Sequence, residues 1–585
     1  YNFDLVNIKN SYQWRNSYSS MPQAHCTVLI DGMHHTRGPG MFCRFLGGQK
    51  LNSPGYGMQF LEADARAVFS SSLFANYSNG TKVTWIPCPK TEVEMFRRQL
   101  MTYTLSDGRS LLFDFFRVKG GNNHSFYWHF PSESPETTLC NPKKIKQKTL
   151  QKYMCEKFKE SASNNVALSF LTPQTTWKTP NGFWRTTWTV KPKEFGPATL
   201  KGKQLFKKWD DLLHDVKLDK WSCTSGGKQN ITEELIAANG PWPSTVIEEE
   251  RGLQLVSFKD ALKYLIEVRQ SAETPLYSSF INILSPYKLK EQPVITKTTH
   301  LEPTEASSQY SDAVELTINK KNNLGSFKLH VATTESNGFI KAGKLQLKGR
   351  ACIIDKENMN IFLYDGSEAN IEDFGISLDD SWKLKIIDII GDISGASSQS
   401  ALIVESNRKL PCDETLKNTM LTVNHQISRY HSTGYTIKSI SQLNSSKYRI
   451  DLSNSPPFIQ NTMRVSEVFK KYPCRIRAAS TLTKGDFQGL YNGRNIRFIR
   501  SGFTTKIKQP LLESGIRTCL LELENSPQEG EIKLNDKFII YTIQPGDTVV
   551  IPSYFAARKI SESKNELKLA LYTTGNANFI FPQKY

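Results

Sequence analysis

Apolar and polar residues alternate with a period of two along most of this chain, the pattern of strands with one face buried. Between residues 20 and 131 the alternation runs through Val28 and Ile30, then Leu111, Phe113 and Phe115. Turn dipeptides punctuate it at Asp31-Gly32, Asp107-Gly108 and Gly120-Gly121. The spacing returns at 175–191 and at 276–285, where Pro286 stops a strand. Further strands are predicted at 327–333, 342–354, 360–364 and 401–405, then at 434–440, 448–452, 495–500, 518–523, 538–543 and 567–572. Residues 203–214 fit an amphipathic helix through Leu205, Phe206, Trp209, Leu212 and Leu213, or a pair of strands. This succession predicts an all-β chain, a large antiparallel multi-sheet β-sandwich rather than a barrel. The polar stretch 291–312, with its Pro, Thr and Ser, reads as a linker. It would divide a first sandwich (1–290) from its continuation (313–408) and a C-terminal β domain (409–585). No fixed-period repeat or low-complexity tract interrupts the pattern.

Charge changes the picture next. The 585 residues carry 74 Lys and Arg against 56 Asp and Glu, a formal charge of +18. Such a balance favours a polyanionic partner. Nucleic acid, an anionic membrane surface and an acidic polysaccharide all fit, but the basic residues are dispersed, without an arginine-rich arm, zinc-finger spacing or aromatic RNA-binding signature, so nucleic acid is the weaker of these. No apolar run reaches membrane-spanning length, and the first residues have no signal-peptide pattern. A chain beginning at Tyr1 is expected to be processed, or one piece of a longer polypeptide. The ten cysteines show no CxxC pair, and either disulfides or ordinary core thiols suit them. Sequons at Asn76, Asn79, Asn123, Asn230 and Asn444 would permit glycosylation in a secreted, periplasmic or secretory-lumen setting.

Four stretches carry a family resemblance. His25-Cys-Thr-Val-Leu-Ile-Asp31-Gly32 is similar to a His-Asn-Thr-Val-x-Asp-Gly strand, and the run from Asp114 through Gly120-Gly121 to His124 to an Asp-x-Phe-x-Val-x-Gly-Gly-x-x-His strand. Ser278 to Tyr287 resembles Ser-x-Phe-x-x-Val-x-x-Pro-Tyr, and Pro545-Gly546-Asp547 to Pro552 a closing Pro-Gly-Asp-x-Val-x-Ile-Pro strand. Their order resembles the β-sandwich half of the heparinase II/III polysaccharide lyases, an architecture shared with dermatan-sulfate epimerase-like proteins. The resemblance implies part of a lyase that cleaves a uronate-containing polysaccharide, glycosaminoglycan- or alginate-like, by β-elimination. It also implies zinc or another divalent metal, held by His25 with Asp4 as the upstream carboxylate. Cys26 stands where the family has Asn. The family's catalytic residues lie mostly in an N-terminal α/α toroid that this chain lacks, so no catalytic residue is assigned and a companion chain or preceding domain is expected. The alternatives are a uronate epimerase and a non-catalytic glycan-binding or structural protein on the same scaffold.

Other candidates come from the residues themselves. His35 and Arg37 follow the Asp31-Gly32 turn and Arg44 lies a strand further on, a set able to hold a carboxylate or sulfate. His124 and His129 read as packing or sheet hydrogen bonding. Trp177, Trp184, Trp188 and Trp209 read as sheet core, with sugar stacking as the alternative.

Overall fold

The computed structural model of the chain describes residues 25–32, 44–49, 57–66, 73–78, 82–87, 92–130, 136–137, 143–144, 171–190, 199–200, 203–204, 216–226, 231–240, 245–249, 252–256, 262–391, 400–425, 432–453, 458–469, 475–479, 491–511, 520–563 and 566–581. The fold is all-β, with multiple antiparallel sheets and, among the described residues, no helix of seven or more residues. The chain forms two compact units, one of Tyr1–His35, Thr91–Thr304 and Ser308–Val331, the other of Thr36–Lys90, Glu305–Ser307 and Ala332–Tyr585.

The first unit is a sandwich. One layer runs in the order Thr27–Ile30, Asn123–Phe130, Leu262–Ser271, Ile231–Gly240, Thr172–Lys178 and Lys143–Lys144. The facing layer runs Val93–Thr104, Ser110–Gly120, Tyr277–Lys288, Val216–Ser225, Trp184–Val190 and Glu136–Thr137. Phe126 of one layer meets Phe116 and Phe280 of the other, at ring-centroid distances of 5.8 and 5.4 Å. The three predicted turns close as read. Gly108 sits at φ +85°, and the paired strands Val93–Thr104 and Ser110–Gly120 flank it. Gly121 sits at φ +61° against Asp31, whose carboxylate accepts the backbone N–H groups of Asn122 and Asn123, each at 2.8 Å. The Asp-Gly and Gly-Gly turns thus clasp each other.

Residues 291–312, expected as a linker, contain the strand Ile295–Leu301, paired antiparallel with Asp312–Asn319. The stretch is polar because the strand's outer face is exposed, while Val294, Ile295 and Asp312 are buried.

Besides the hairpin of Leu73–Ser78 with Lys82–Pro87, the described residues of the second unit hold three larger β substructures. One sheet runs Met420–Asn424, Thr548–Ile551, Trp382–Ile390, Ala401–Glu405, Lys447–Leu452, Ser432–Gln442, Arg44–Gly48 and Met58–Asp64, and its only described parallel contact sets Arg44 beside Ser432. Another contains Leu345–Asp355, Asn360–Ile371, Phe374–Leu378 and Ala577–Ile580. The third departs from the expectation of sandwich without barrel. Ile459–Val468, Arg475–Ala478, Leu520–Leu523, Thr504–Leu511, Asn495–Phe498 and Lys537–Tyr541 close into a six-stranded barrel. Its core includes Val465, Ile476, Ile496, Phe498, Ile507 and Phe538. Alternating short strands suit either arrangement, and the closing pair of Ile459–Val468 with Lys537–Tyr541 lies far apart in sequence.

Candidate functional site

Barrel closure fixes which side chains of the second unit face outward. Ile496 and Phe498 are fully buried in the barrel core, so the alternating partners Asn495 and Arg497 project from its outer surface. Thr504 and Lys506 stand opposite Arg497 and Asn495 on the neighbouring strand and are exposed. A groove of about 290 Å³ opens over this surface. Arg497, Asn495 and Thr504 form its polar wall, Phe458 and Tyr541 supply aromatic rings, and Asp388, at the end of Trp382–Ile390, stands on another side.

The groove wall rests on a buried polar network. Gln544 Oε1 accepts from the backbone N–H of Asn495 at 3.2 Å, and the Gln544 N–H donates to Asp547 Oδ2 at 3.1 Å. His425 Nδ1 lies 3.0 Å from the same carboxylate oxygen and Nε2 lies 3.4 Å from the Thr433 hydroxyl. Arg494 donates to the Thr542 carbonyl and approaches His425 Nδ1 at 3.5 Å. Burial holds His425 below the usual histidine range. Arg494 and Arg44 push the same way, and Asp547 opposes them. The Pro545-Gly546-Asp547 turn is also tied to Trp382–Ile390, through Ile386 N–H to Asp547 O and Gly546 N–H to Ile386 O, both 2.8 Å.

A second polar cluster lies inside the first sandwich. Lys220 is fully buried, bonded to Glu267 and Ser222, with its ammonium 5.0 Å from the Trp184 ring centre and 5.6 Å from that of Trp128. Burial pushes Lys220 down and Glu267 up, each toward its neutral form. Nearby Arg98 grips both oxygens of Asp114 at 2.8 Å and donates to the Cys26 carbonyl at 2.8 Å. These groups pair with one another between the layers and read as structural.

The sequence candidates fall into three sets. Asp4, His35, Arg37, Asn79, Asn230 and Trp209 lie outside the described residues, as does 205–214 of the proposed helix. His25 is exposed at the bend before Thr27–Ile30. Among the described residues no three His, Cys, Asp or Glu side chains gather as a metal site. Arg44 opens the strand Arg44–Gly48 and contributes to the field around His425 rather than lining the groove. Trp177, Trp184 and Trp188 are core residues. His124 is buried between the Ser278 hydroxyl and the Gly120 carbonyl, each at 2.7 Å, and His129 packs on Tyr264. The described cysteines, Cys26, Cys223, Cys352 and Cys412, are free thiols.

Of the described sequons, Asn444 is exposed in a turn, its side-chain oxygen accepting from the Ser446 and Lys447 N–H groups. Asn123 is 5% exposed, which leaves no room for a glycan in the folded strand. Asn76 lies in the strand Leu73–Ser78. Sequence reasoning passed over Arg497, Asn495, Tyr541, Phe458 and His425. Only Asp547 stood in a recognised motif.

No protein-family model matches the chain, and no curated protein matches it.

Proposed function

We propose that this chain binds an acidic saccharide, with one uronate- or sulfate-bearing unit seated in the groove beside Arg497. The observation that carries the reading is one guanidinium, one amide and one hydroxyl lining a groove with Tyr541 and the edge of buried Phe458, with Asp388 as its one carboxylate, on a chain of charge +18. A sugar ring has an apolar C–H face and a polar edge, and an aromatic ring covers the first while hydrogen-bonding groups take the second. Arg497 supplies the planar fork that matches a carboxylate or sulfate. The groove is near the small end of ligand pockets, enough for roughly one or two sugar rings, with the polymer continuing over exposed Lys506.

Lyase action is the second reading, favoured by the presence of Tyr541 in the same groove. β-Elimination needs a base for the proton beside the carboxylate, an acid for the leaving oxygen, and a cation to hold the carboxylate. Tyr541 would serve as a proton-transfer group and Arg497 as the cation. A secreted location accords with either reading.

The test is calorimetric titration with size-defined heparin and alginate oligosaccharides, against a neutral glucan. Arg497→Ala is expected to weaken acidic-ligand binding about tenfold or more, the usual loss for a charge-assisted contact. Equal binding by the variant, or equal binding of the glucan, overturns the proposal. Unsaturated product absorbing in the ultraviolet would move the assignment from binding protein to lyase.

A further inference from the structure

We infer that His425 is a proton-sensitive positioning residue for the groove, whose neutral form holds the acidic-saccharide site in its binding shape. The inference rests on the groove reading given above. Its basis is the way groove residues alternate with network residues along the same backbone. Asn495 follows Arg494, and Ile543 and Pro545, which line the groove, flank Gln544. Gln544 and Arg494 turn inward to the network described above: Asp547 anchors Gln544, which holds the Asn495 backbone, Arg494 bridges the Thr542 carbonyl and His425, and His425 contacts Asp547. Residues 388 and 389, on the third wall, continue a strand tied to the same turn.

The protonation states differ in what they allow. A carboxylate 3.0 Å from Nδ1 assigns the proton of neutral His425 to that nitrogen, which leaves Nε2 to accept from the Thr433 hydroxyl. A second proton on Nε2 removes that acceptor. It also sets an imidazolium among Arg494, which lies 3.5 Å away, and Arg44, against the Asp547 carboxylate. Tyr435, a further titratable neighbour on the Thr433 strand, is held neutral by burial. The imidazolium is repelled by the adjacent Arg494 guanidinium, and the displacement passes through Asp547 to Gln544, Asn495 and the groove. Burial sets the transition below the ordinary histidine range, so the site is closed for binding only under acid conditions.

The experiment uses a sulfated oligosaccharide, whose charge is constant over the range, titrated into the full chain from pH 7.5 to pH 5. If only the neutral form binds, apparent affinity falls twofold at the pKa of His425 and about tenfold one pH unit below it. His425→Gln, which has no titrating ring, is expected to bind with a flat profile. The His425 C2–H resonance of the unaltered protein, followed without ligand, gives the same midpoint and needs no variant to fold. A flat profile for the unaltered protein, tighter binding in acid, or a variant profile matching the unaltered one overturns the inference. Arg497→Ala, measured at pH 7.5, reports on the groove itself, so loss of binding there with a flat pH profile rejects only the role of His425.

Discussion

Asp312→Asn is expected to destabilise the first unit by about 3–5 kcal/mol, the range for breaking a buried ion pair from one side. Arg117 donates to Asp312 Oδ2 from Nε at 3.0 Å and from Nη2 at 2.8 Å, and both side chains are at most 2% exposed. Ser279 donates to the same oxygen and Ser225 to the other, each at 2.9 Å, with His300 Nε2 3.7 Å away. The amide is nearly isosteric but keeps one oxygen, so it can accept from only one of the two serines, and the cost combines that lost bond with the charge that balances Arg117. Gln99, which also accepts from Arg117, has no charge to offer. The double variant Asp312→Asn with Arg117→Met removes both charges, and its cost should fall well short of the sum, with a coupling of roughly 2 kcal/mol or more. Asp312 is held well below the usual carboxylate range, Arg117 and His300 outweighing the burial that would raise it. The stability it contributes is therefore present above pH ~4 and lost only in strong acid. Urea unfolding followed by fluorescence of the buried Trp184 and Trp188 reads the transition of this unit. A single-variant cost under about 1 kcal/mol, or strict additivity in the double variant, refutes the reasoning.

His124 is pushed down to about 3 by complete burial, outweighing the hydrogen bond to Gly120. Its neutral state contributes stability that is full above the unfolded value near 6.5 and is lost as the pH falls toward 3, of order 4 kcal/mol in all. Urea midpoints measured against pH should show that slope, and His124→Phe should flatten it while lowering stability at pH 7. Two of the predicted turns separate backbone strain from contact. Gly108→Ala meets nothing within 4 Å and should cost about 1 kcal/mol, whereas a Cβ on Gly121 would lie 2.4 Å from Asp31 Oδ2 and should cost at least twice that, read from thermal midpoints. Equal costs would mean that the Asp31 clasp contributes nothing.

Local chemistry was legible in the sequence. The turns at Gly108 and Gly121 followed from dipeptides, and strands such as Lys447–Leu452 and Asn495–Phe498 followed from alternation, because both signals act within a few residues. Long-range consequences were not. Asp312 looked like the end of a linker because Arg117 and Ser225, which make it a hub, lie 195 and 87 residues away. Barrel closure was invisible for the same reason. Arg497 sits in an ordinary alternating Asn-Ile-Arg-Phe strand, and nothing local says that its outward face forms a groove with Phe458 and Tyr541. His425 and Asp547 are 122 residues apart, and the Pro-Gly-Asp motif marked a turn without its partner.

Charges are paired in the interior of both units, and the pairs on the surface differ from Arg497. Inside the first, Lys220–Glu267, Arg117–Asp312 and Arg98–Asp114 pair acid with base in the interior, Lys220 and Arg117 fully buried and Arg98 partly so. Such pairs set register and specificity more than net stability, and a ligand would have to break them to reach the charge. On the second unit's barrel, Arg477–Glu467 and Arg500–Asp536 are surface pairs, which water screens and which contribute little. Arg497 differs from both groups. It is half-buried, so a bound anion would meet it with much of its water removed, and it lies in a groove, so the anion can reach it. A cation is useful to a ligand only where those two conditions coincide. At the groove they meet, with Arg497 beside Tyr541 and a hydrogen-bonding amide.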